Sequence, residues 1–190
     1  MKKGESHPSK TRSRKEIVLA LLSLMEGGDF KDITVSQISD ESRLTRRTFY
    51  AHFKDKEEVL RYRIGVLNRQ LLDKTGEIDP ENRRELLLCY FRFWMGHSEF
   101  LNLMNRNGLL ILIQEGLSGY VRGLRVRYAC SMKDEKKEIF YGYTNAALSG
   151  LLWGLLKKWI DRDWKETPEE LILKAEEIIK VLCDTLNREL

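Results

Sequence analysis

Apolar residues recur along most of the chain at intervals of three and four positions, the spacing of one face of an α-helix. The first such segment runs from about residue 10 to 26, with Ile17, Leu21 and Met25 on one face, and two glycines end it. The run "LLILI" near residue 110 would also suit a buried strand, but it lies inside a longer helical period and is interpreted as helix. No hairpin signal interrupts the pattern, so the sequence predicts an all-α protein.

Short helices with tight turns follow the first segment. Thr34 is a candidate N-cap for a second helix that ends near Ser42, Thr45 for a third that reaches Phe53, and Asp55 for a fourth. Such short helices do not persist alone and must pack on one another. Three helices of which the last two are joined by a tight turn have the layout of a helix-turn-helix.

The third helix has two different faces. At about 100° per residue, Phe49 and Phe53 fall on one side, whereas Arg47 and Tyr50 fall on the other with Arg46 at the margin. Arginine at the start of a recognition helix can form a bidentate contact to guanine in the major groove. Adjacent arginines before "TFYAHF" therefore predict a duplex DNA partner.

Charge along the chain points the same way. The excess of four positive charges lies entirely within residues 1–63, which hold 14 Lys or Arg and 10 Asp or Glu. Basic residues concentrated at one end suggest contact with a polyanion. We expect a flexible basic arm over residues 1–9, a helix-turn-helix domain over residues 10–55 and a helical C-terminal domain over residues 56–190.

The segment "ITVSQISDESRLTRRTFYAHFKDKEEVL" resembles the N-terminal signature of the TetR family of bacterial transcriptional regulators. The resemblance implies that Arg46 and Arg47 read bases and that nearby side chains hold phosphates. It gives the predicted DNA-binding set Thr34, Thr45, Arg46, Arg47, Thr48, Tyr50, His52 and Lys56. His52 suits a structural role equally well, whereas replacing Lys56 by alanine is expected to flatten the salt dependence of binding.

Two positions depart from the family pattern. The turn carries Ser42 and Arg43 where the family has small residues and then glycine, and Ser39 replaces a usual alanine. A residue other than glycine in a left-handed conformation costs on the order of 1 kcal/mol. We therefore expect this turn to be either strained or shaped differently.

The long helix near the C-terminus carries small residues every fourth position, which would let another helix approach closely. Together with the last helix it would form a four-helix bundle in a homodimer, as the family resemblance also implies. The predicted interface comprises Gly142, Ala146, Gly150, Gly154, Ile178 and Leu182. Packing of the stripe within one chain is the alternative.

Aromatic and methionine residues accumulate between these two parts of the chain. The resemblance implies that a small hydrophobic or aromatic effector binds there and tilts the DNA-binding heads. The candidate pocket comprises Tyr90, Trp94, His97, Phe100, Met104 and Ile113. The same residues would also form an ordinary hydrophobic core.

Other function classes lack their sequence signals. Three scattered histidines and no HExxH, GxSxG or Gly-rich phosphate loop argue against an enzyme, and no cofactor or metal is predicted. Three distant cysteines give no zinc or disulfide pattern. No apolar stretch approaches membrane-spanning length, so we expect a cytoplasmic protein. The prediction is a homodimeric repressor of a palindromic operator, released by an effector; a coactivator or protein-partner adaptor that binds no small molecule is the alternative.

Overall fold

The computed structural model describes residues 8–128 and 135–188, and within these ranges the chain is helical without strands. The all-α prediction is confirmed. The elements are α1 (Pro8–Gly27), a short 3-10 helix (Phe30–Asp32), α2 (Val35–Ser42), α3 (Arg46–Tyr50), α4 (Lys56–Thr75), α5 (Arg83–Met95), α6 (Ser98–Arg106), α7 (Leu110–Tyr128), α8 (Glu135–Asp161) and α9 (Pro168–Arg188). No helix in the described part of the chain is both long and apolar enough to cross a bilayer.

The chain forms two compact units. The first comprises residues up to Val66 together with Leu103–Leu112, and the second comprises Leu67–Asn102 and the chain from Ile113 onward. Compactness therefore divides the chain inside α4, about ten residues after the predicted end of the helix-turn-helix domain. A segment distant in sequence, 103–112, completes the first unit. The predicted boundaries of functional domains stay predictions, and most of the predicted arm, residues 1–7, lies outside the described residues.

The first unit is built around α1, which packs against α2. Its fully buried apolar side chains come from every helix of the unit's N-terminal part: Ile17, Leu21, Met25, Ile38, Phe49 and Leu60. Segment 103–112 closes this core with polar contacts, since Arg106 donates to the carbonyls of Met25 and Glu26 at 3.2 Å each. These carbonyls lie at the end of α1, where no intrahelical partner exists for them.

The second unit packs α5 against α9 around buried aromatic residues. Phe91 meets Trp159 edge to face with centroids 5.9 Å apart, and Arg92 bonds Glu169 at 2.6 Å. Helices α4 and α7 approach so closely that a side chain at Gly123 would begin 2.6 Å from a methyl group of Leu72. Glycine at position 123 therefore permits this contact.

Helix termini test the predicted caps. The segment "TPEE" predicts a capping box at Thr167, and α9 begins with one: the Thr167 hydroxyl accepts from the Glu170 amide at 3.2 Å, and the Thr167 amide donates to the Glu170 carboxylate at 2.8 Å. The "LLILI" run is helical, as predicted. The segment "IDPENRREL" predicts a helix that starts at Pro80, and this start is wrong: the Asn82 side chain accepts from the Glu85 amide, and α5 begins at Arg83.

Candidate nucleic-acid interface

Helix α2 begins with a capping box. The Thr34 hydroxyl accepts from the Gln37 amide at 3.3 Å, and the Thr34 amide donates to the Gln37 side chain at 2.8 Å. The predicted N-cap is therefore confirmed. Because the hydroxyl also lies 2.8 Å from the Gln37 side-chain oxygen, a phosphate contact by Thr34 would have to displace that bond.

The turn between α2 and α3 is strained. Arg43 has φ 55° and ψ 31°, the left-handed conformation that glycine adopts more readily. Its amide donates to Asp40 O at 3.1 Å, and the Leu44 amide donates to Ser39 O at 2.9 Å, which closes the end of α2. Of the two expectations for this turn, strain is therefore the correct one. The other departure, Ser39, buries a hydroxyl that finds no hydrogen-bond partner among the described residues.

Helix α3 starts as predicted and ends early. The Thr45 hydroxyl accepts from the Thr48 amide at 3.1 Å and lies 2.9 Å from the Thr48 hydroxyl. The helix ends at Tyr50 rather than Phe53, because the His52 amide turns back to Phe49 O at 2.9 Å. The two threonine hydroxyls share one hydrogen bond, so one of them retains a proton to donate outward.

The two faces of α3 are those that the sequence predicts. Phe49 and Phe53 are buried with their rings 6.1 Å apart, and Tyr50 stands edge to face on Phe49 with 53% of its surface exposed. Arg46 and Arg47 are exposed at the first turn of the helix. The helix therefore presents guanidinium groups and a phenol outward from an anchored aromatic base, which suits insertion into the major groove.

His52 lies half-buried beside this surface, with its ring 6.4 Å from that of Phe53. Burial lowers the pKa of its imidazole, and the positive charges of Arg14 and Lys10 lower it further. The imidazole is therefore mostly neutral near pH 7 in the free protein. Three basic groups, from α1 and from the end of α3, thus meet along one edge.

Lys56 departs from its predicted surroundings. Its ammonium group donates to the main-chain oxygens of Phe30, Lys31 and Ile33 at 2.5, 2.9 and 2.8 Å. An ammonium has three N–H donors, so all of them are used within the chain. This geometry does not favour the phosphate contact that the resemblance implied.

The sequence did not predict that side chains from later parts of the chain bind the segment between α1 and α2. Asn107 accepts the Phe30 amide at 2.7 Å, and its own amide group donates to Leu103 O at 2.9 Å. The partners Phe30 and Asn107 are 77 residues apart in the sequence, so no local pattern predicts the pair.

The residues predicted to form the effector pocket lie in different surroundings. Tyr90, Trp94, Phe100 and Ile113 are buried. Met104 is buried in the first unit instead. His97 lines an open pocket of about 540 Å³, whose other lining residues are Gln70, Asp73, Lys74, Arg92, Phe93 and Gly96.

The predicted dimer stripe is exposed in the single chain. Gly142, Ala146, Gly150 and Gly154 are all exposed, and a side chain built on any of the three glycines would meet nothing within 4 Å in the described part of the chain. Ile178 is 42% exposed, while the side chain of Leu182 lies outside the description. The alternative of packing within one chain thus finds no support among the described residues.

No cluster of three or more His, Cys, Asp or Glu residues that could hold a metal ion occurs in the described ranges. Of the three cysteines, Cys89 is half-buried, and burial raises the pKa of its thiol. Cys130 and the side chain of Cys183 lie outside the described residues.

A capped short helix, a tight turn and a second short helix with exposed cations at its start define a helix-turn-helix DNA-binding domain. Residues 17–62 match the sequence model of the bacterial regulatory proteins of the tetR family. Residues 17–62 therefore form a DNA-binding domain of the type found in the TetR family of transcriptional regulators.

Solved structures share the fold over nearly the whole chain. The protein Lin0861 of Listeria innocua superposes with a TM-score of 0.78 at 14% identity, covering 95% of this chain and 96% of its own. A TetR transcriptional regulator of Streptococcus agalactiae gives 0.58 at 21% identity, covering 90% and 95%. The fatty acid degradation regulator FadR of Bacillus halodurans gives 0.57 at 20%, covering 94% and 96%. No curated protein sequence matches this chain significantly.

Proposed function

We propose that this protein is a cytoplasmic repressor that binds a palindromic operator as a homodimer and is released by a small molecule. The observation that carries the DNA-reading part is the exposed guanidinium face of α3, held from behind by buried Phe49 and Phe53. Repression rather than activation rests on the family resemblance alone. The same reading assigns the chain a regulatory role and not a catalytic one.

Two features support the homodimer. The stripe of small residues on α8 leaves open space for a second helix, and larger apolar side chains stand exposed around it and on α9. Burial of such side chains between two copies would remove them from water, at roughly 25 cal/mol per Å² of apolar area. A two-fold dimer would hold two copies of α3 about one DNA turn apart, roughly 34 Å, which matches an inverted repeat.

Buried polar atoms in the second unit support the effector. Asn68 Oδ1, Tyr90 Oη and Trp94 Nε1 are buried without hydrogen-bond partners in the described structure. Burial raises the pKa of Tyr90 well above its usual value; Trp94 is near enough to offset this in part, yet the two atoms do not meet in hydrogen-bond geometry. A protonated phenol and an indole N–H can both donate, so for Tyr90 and Trp94 the matching ligand is an apolar molecule with an accepting oxygen. The amide oxygen of Asn68 is itself an acceptor and takes no part in this match.

Selection of bound sequences from a random duplex pool tests the proposed DNA recognition. The expected result is an enriched inverted repeat, retarded as a complex of two chains per duplex. An enriched single half-site would contradict the dimer, and the absence of enrichment would contradict sequence reading. In the latter case the adaptor alternative predicts that the protein instead binds another protein through the same scaffold.

Matched small molecules test the effector. We expect medium-chain ketones, esters or amides to raise the melting temperature and to release operator DNA, whereas alkanes of equal length do neither. Tyr90→Phe should reduce the difference between a ketone and its alkane, because the phenol donor is lost. Equal behaviour of both compound classes, or an unchanged difference in the variant, would refute this site.

A further inference from the structure

The side chain of Lys56 joins the first residue of α4 to the segment that leads into α2. Its ammonium lies 2.5–2.9 Å from three main-chain oxygens, those of Phe30, Lys31 and Ile33, and 4.6 Å from the centroid of the Phe30 ring. The ring is buried, and its face attracts the cation in addition to the carbonyl oxygens. One side chain thus closes a loop across more than twenty residues.

The three oxygens belong to a chain segment that needs such a partner. They lie in and just after the short 3-10 helix Phe30–Asp32; the Phe30 oxygen also accepts from the Ile33 amide at 3.2 Å, and Lys56 adds a second donor there. A cation at a helix C-terminus both donates to these carbonyls and offsets the negative end of the helix dipole. Burial lowers the pKa of Lys56, while the nearby carboxylates of Asp32 and Glu57 oppose the shift.

The same segment is fixed from a second side. The Phe30 amide donates to Asn107 at 2.7 Å, so both polar groups of the Phe30 main chain have partners from elsewhere in the first unit. Thr34, the N-cap of α2, follows one residue after Ile33. The entry to α2 is therefore defined by side chains of α4 and of segment 103–112.

Lys56 also lies close in sequence to the recognition helix. Helix α3 ends at Tyr50, and five residues separate it from Lys56. A tie between the start of α4 and the entry of α2 therefore brackets the α2–turn–α3 unit at both ends. Loss of the tie would leave the helices intact but would release the orientation in which α3 is presented.

We propose that Lys56 is a positioning residue that orients the helix-turn-helix, and not a phosphate contact; this rests on the proposed DNA recognition. A phosphate could bind the ammonium only by displacing one of its three carbonyl partners, at the cost of that hydrogen bond. The contribution of Lys56 to DNA binding is therefore made through the geometry of α3.

Three variants measured on the selected operator and on random duplex test this role. Lys56→Met removes the three N–H donors and keeps an unbranched apolar side chain. Lys56→Arg keeps the positive charge but replaces the single ammonium nitrogen by a planar guanidinium group. Lys54→Met is the matched control at an exposed lysine. Each is titrated over a range of salt concentrations and unfolded with urea.

For both Lys56 variants we expect a lower urea midpoint. Operator binding should become about tenfold weaker, whereas binding to random duplex should weaken by less than about twofold. The slope of log K against log salt should not change. The positioning role predicts this fall in discrimination. Lys54→Met should leave the urea midpoint and the discrimination unchanged.

A phosphate contact predicts the opposite pattern. The salt slope of Lys56→Met would then fall by about 0.9, both duplexes would lose affinity alike, and Lys56→Arg would behave as wild type. That pattern would overturn the proposal, as would a fall in stability with discrimination unchanged. If Lys56→Met does not fold, Lys56→Arg carries the comparison. Failure of the wild type to select any operator would refute the proposed function, whereas the urea midpoints would still test the tie.

Discussion

The exposed surfaces of α3 and of the α8–α9 pair differ in chemistry. At the start of α3 the outward side chains are Arg46 and Arg47, followed by Tyr50. On α8 and α9 the outward side chains include Ile139, Tyr143, Leu173 and Ile178, each at least 42% exposed, beside a stripe of glycine and alanine. Both surfaces are left open by their own unit, but one is cationic and the other is apolar.

This difference indicates what each surface is suited to bind. Guanidinium groups are permanently charged and stay in contact with water unless they bind an anionic partner. A DNA groove provides such a partner, with hydrogen-bond acceptors on the base edges. Clustered apolar side chains on a helix are unusual in a monomer and mark a protein-binding surface. The comparison therefore assigns each proposed partner to its own surface, and each surface can be altered by substitutions that leave the side chains of the other in place.

The largest effect is expected from charges on the apolar surface. Ala146→Glu with Ile178→Glu places two carboxylates per chain into the proposed dimer interface, and an unpaired buried charge costs about 3–5 kcal/mol. We expect at least about 100-fold weaker self-association by analytical ultracentrifugation. Operator binding should fall with it, because one head alone contacts only half of an inverted repeat.

Thr144→Glu is a control for the α8 substitution of this variant, since it adds one carboxylate to an exposed position of α8 away from the stripe. It should associate as the wild type does. Dimers that persist in the double variant would show that the apolar surface does not form the interface.

The cationic surface is tested by Arg47→Ala. A bidentate contact from arginine to guanine contributes about 1–3 kcal/mol of discrimination, so we expect roughly 10- to 100-fold weaker operator binding and relaxed preference at one base position. Random duplex should lose far less. Equal losses on operator and random duplex, measured by fluorescence anisotropy, would contradict base reading, while self-association should remain as in the wild type.

Local patterns account for what could be predicted from the sequence. The caps at Thr34, Thr45 and Thr167 each join residues three apart, and the burial of Phe49 and Phe53 follows from helical periodicity. Interactions of this range are encoded within one turn of helix. The fold class and the two faces of α3 were therefore predictable.

Contacts across the chain were not predictable. The three carbonyls that hold Lys56 lie more than twenty residues before it, and Asn107 reaches Phe30 across 77 residues. A lysine at a helix start looks the same in the sequence whether it faces phosphate or carbonyl oxygens. Likewise, buried polar atoms without partners, such as Tyr90 Oη, become recognisable only once the packing around them is known.

A smaller effect is expected at the strained turn between α2 and α3. Arg43→Gly removes the Cβ that makes a left-handed conformation unfavourable, which stabilises the folded state. The greater flexibility of glycine in the unfolded chain offsets part of this gain. We expect a gain of about 0.5–1 kcal/mol in the free energy of unfolding, measured with urea. Arg43→Ala is the control, because it removes the charge and keeps the Cβ. An equal gain in both variants would attribute the effect to charge instead.

The smallest effect distinguishes the two roles of His52. Its pKa is lowered by burial and by Arg14 and Lys10, so the folded protein binds fewer protons there than the unfolded chain does. Stability should therefore decrease as pH falls through about 6.5.

A phosphate placed among these three basic groups would raise the pKa of His52 again, so DNA binding would take up a proton. We expect operator affinity to rise about two- to fivefold from pH 7.5 to 6.0 in the wild type and to lose this rise in His52→Gln. If the variant keeps the same pH dependence, His52 has a structural role and does not contact a phosphate.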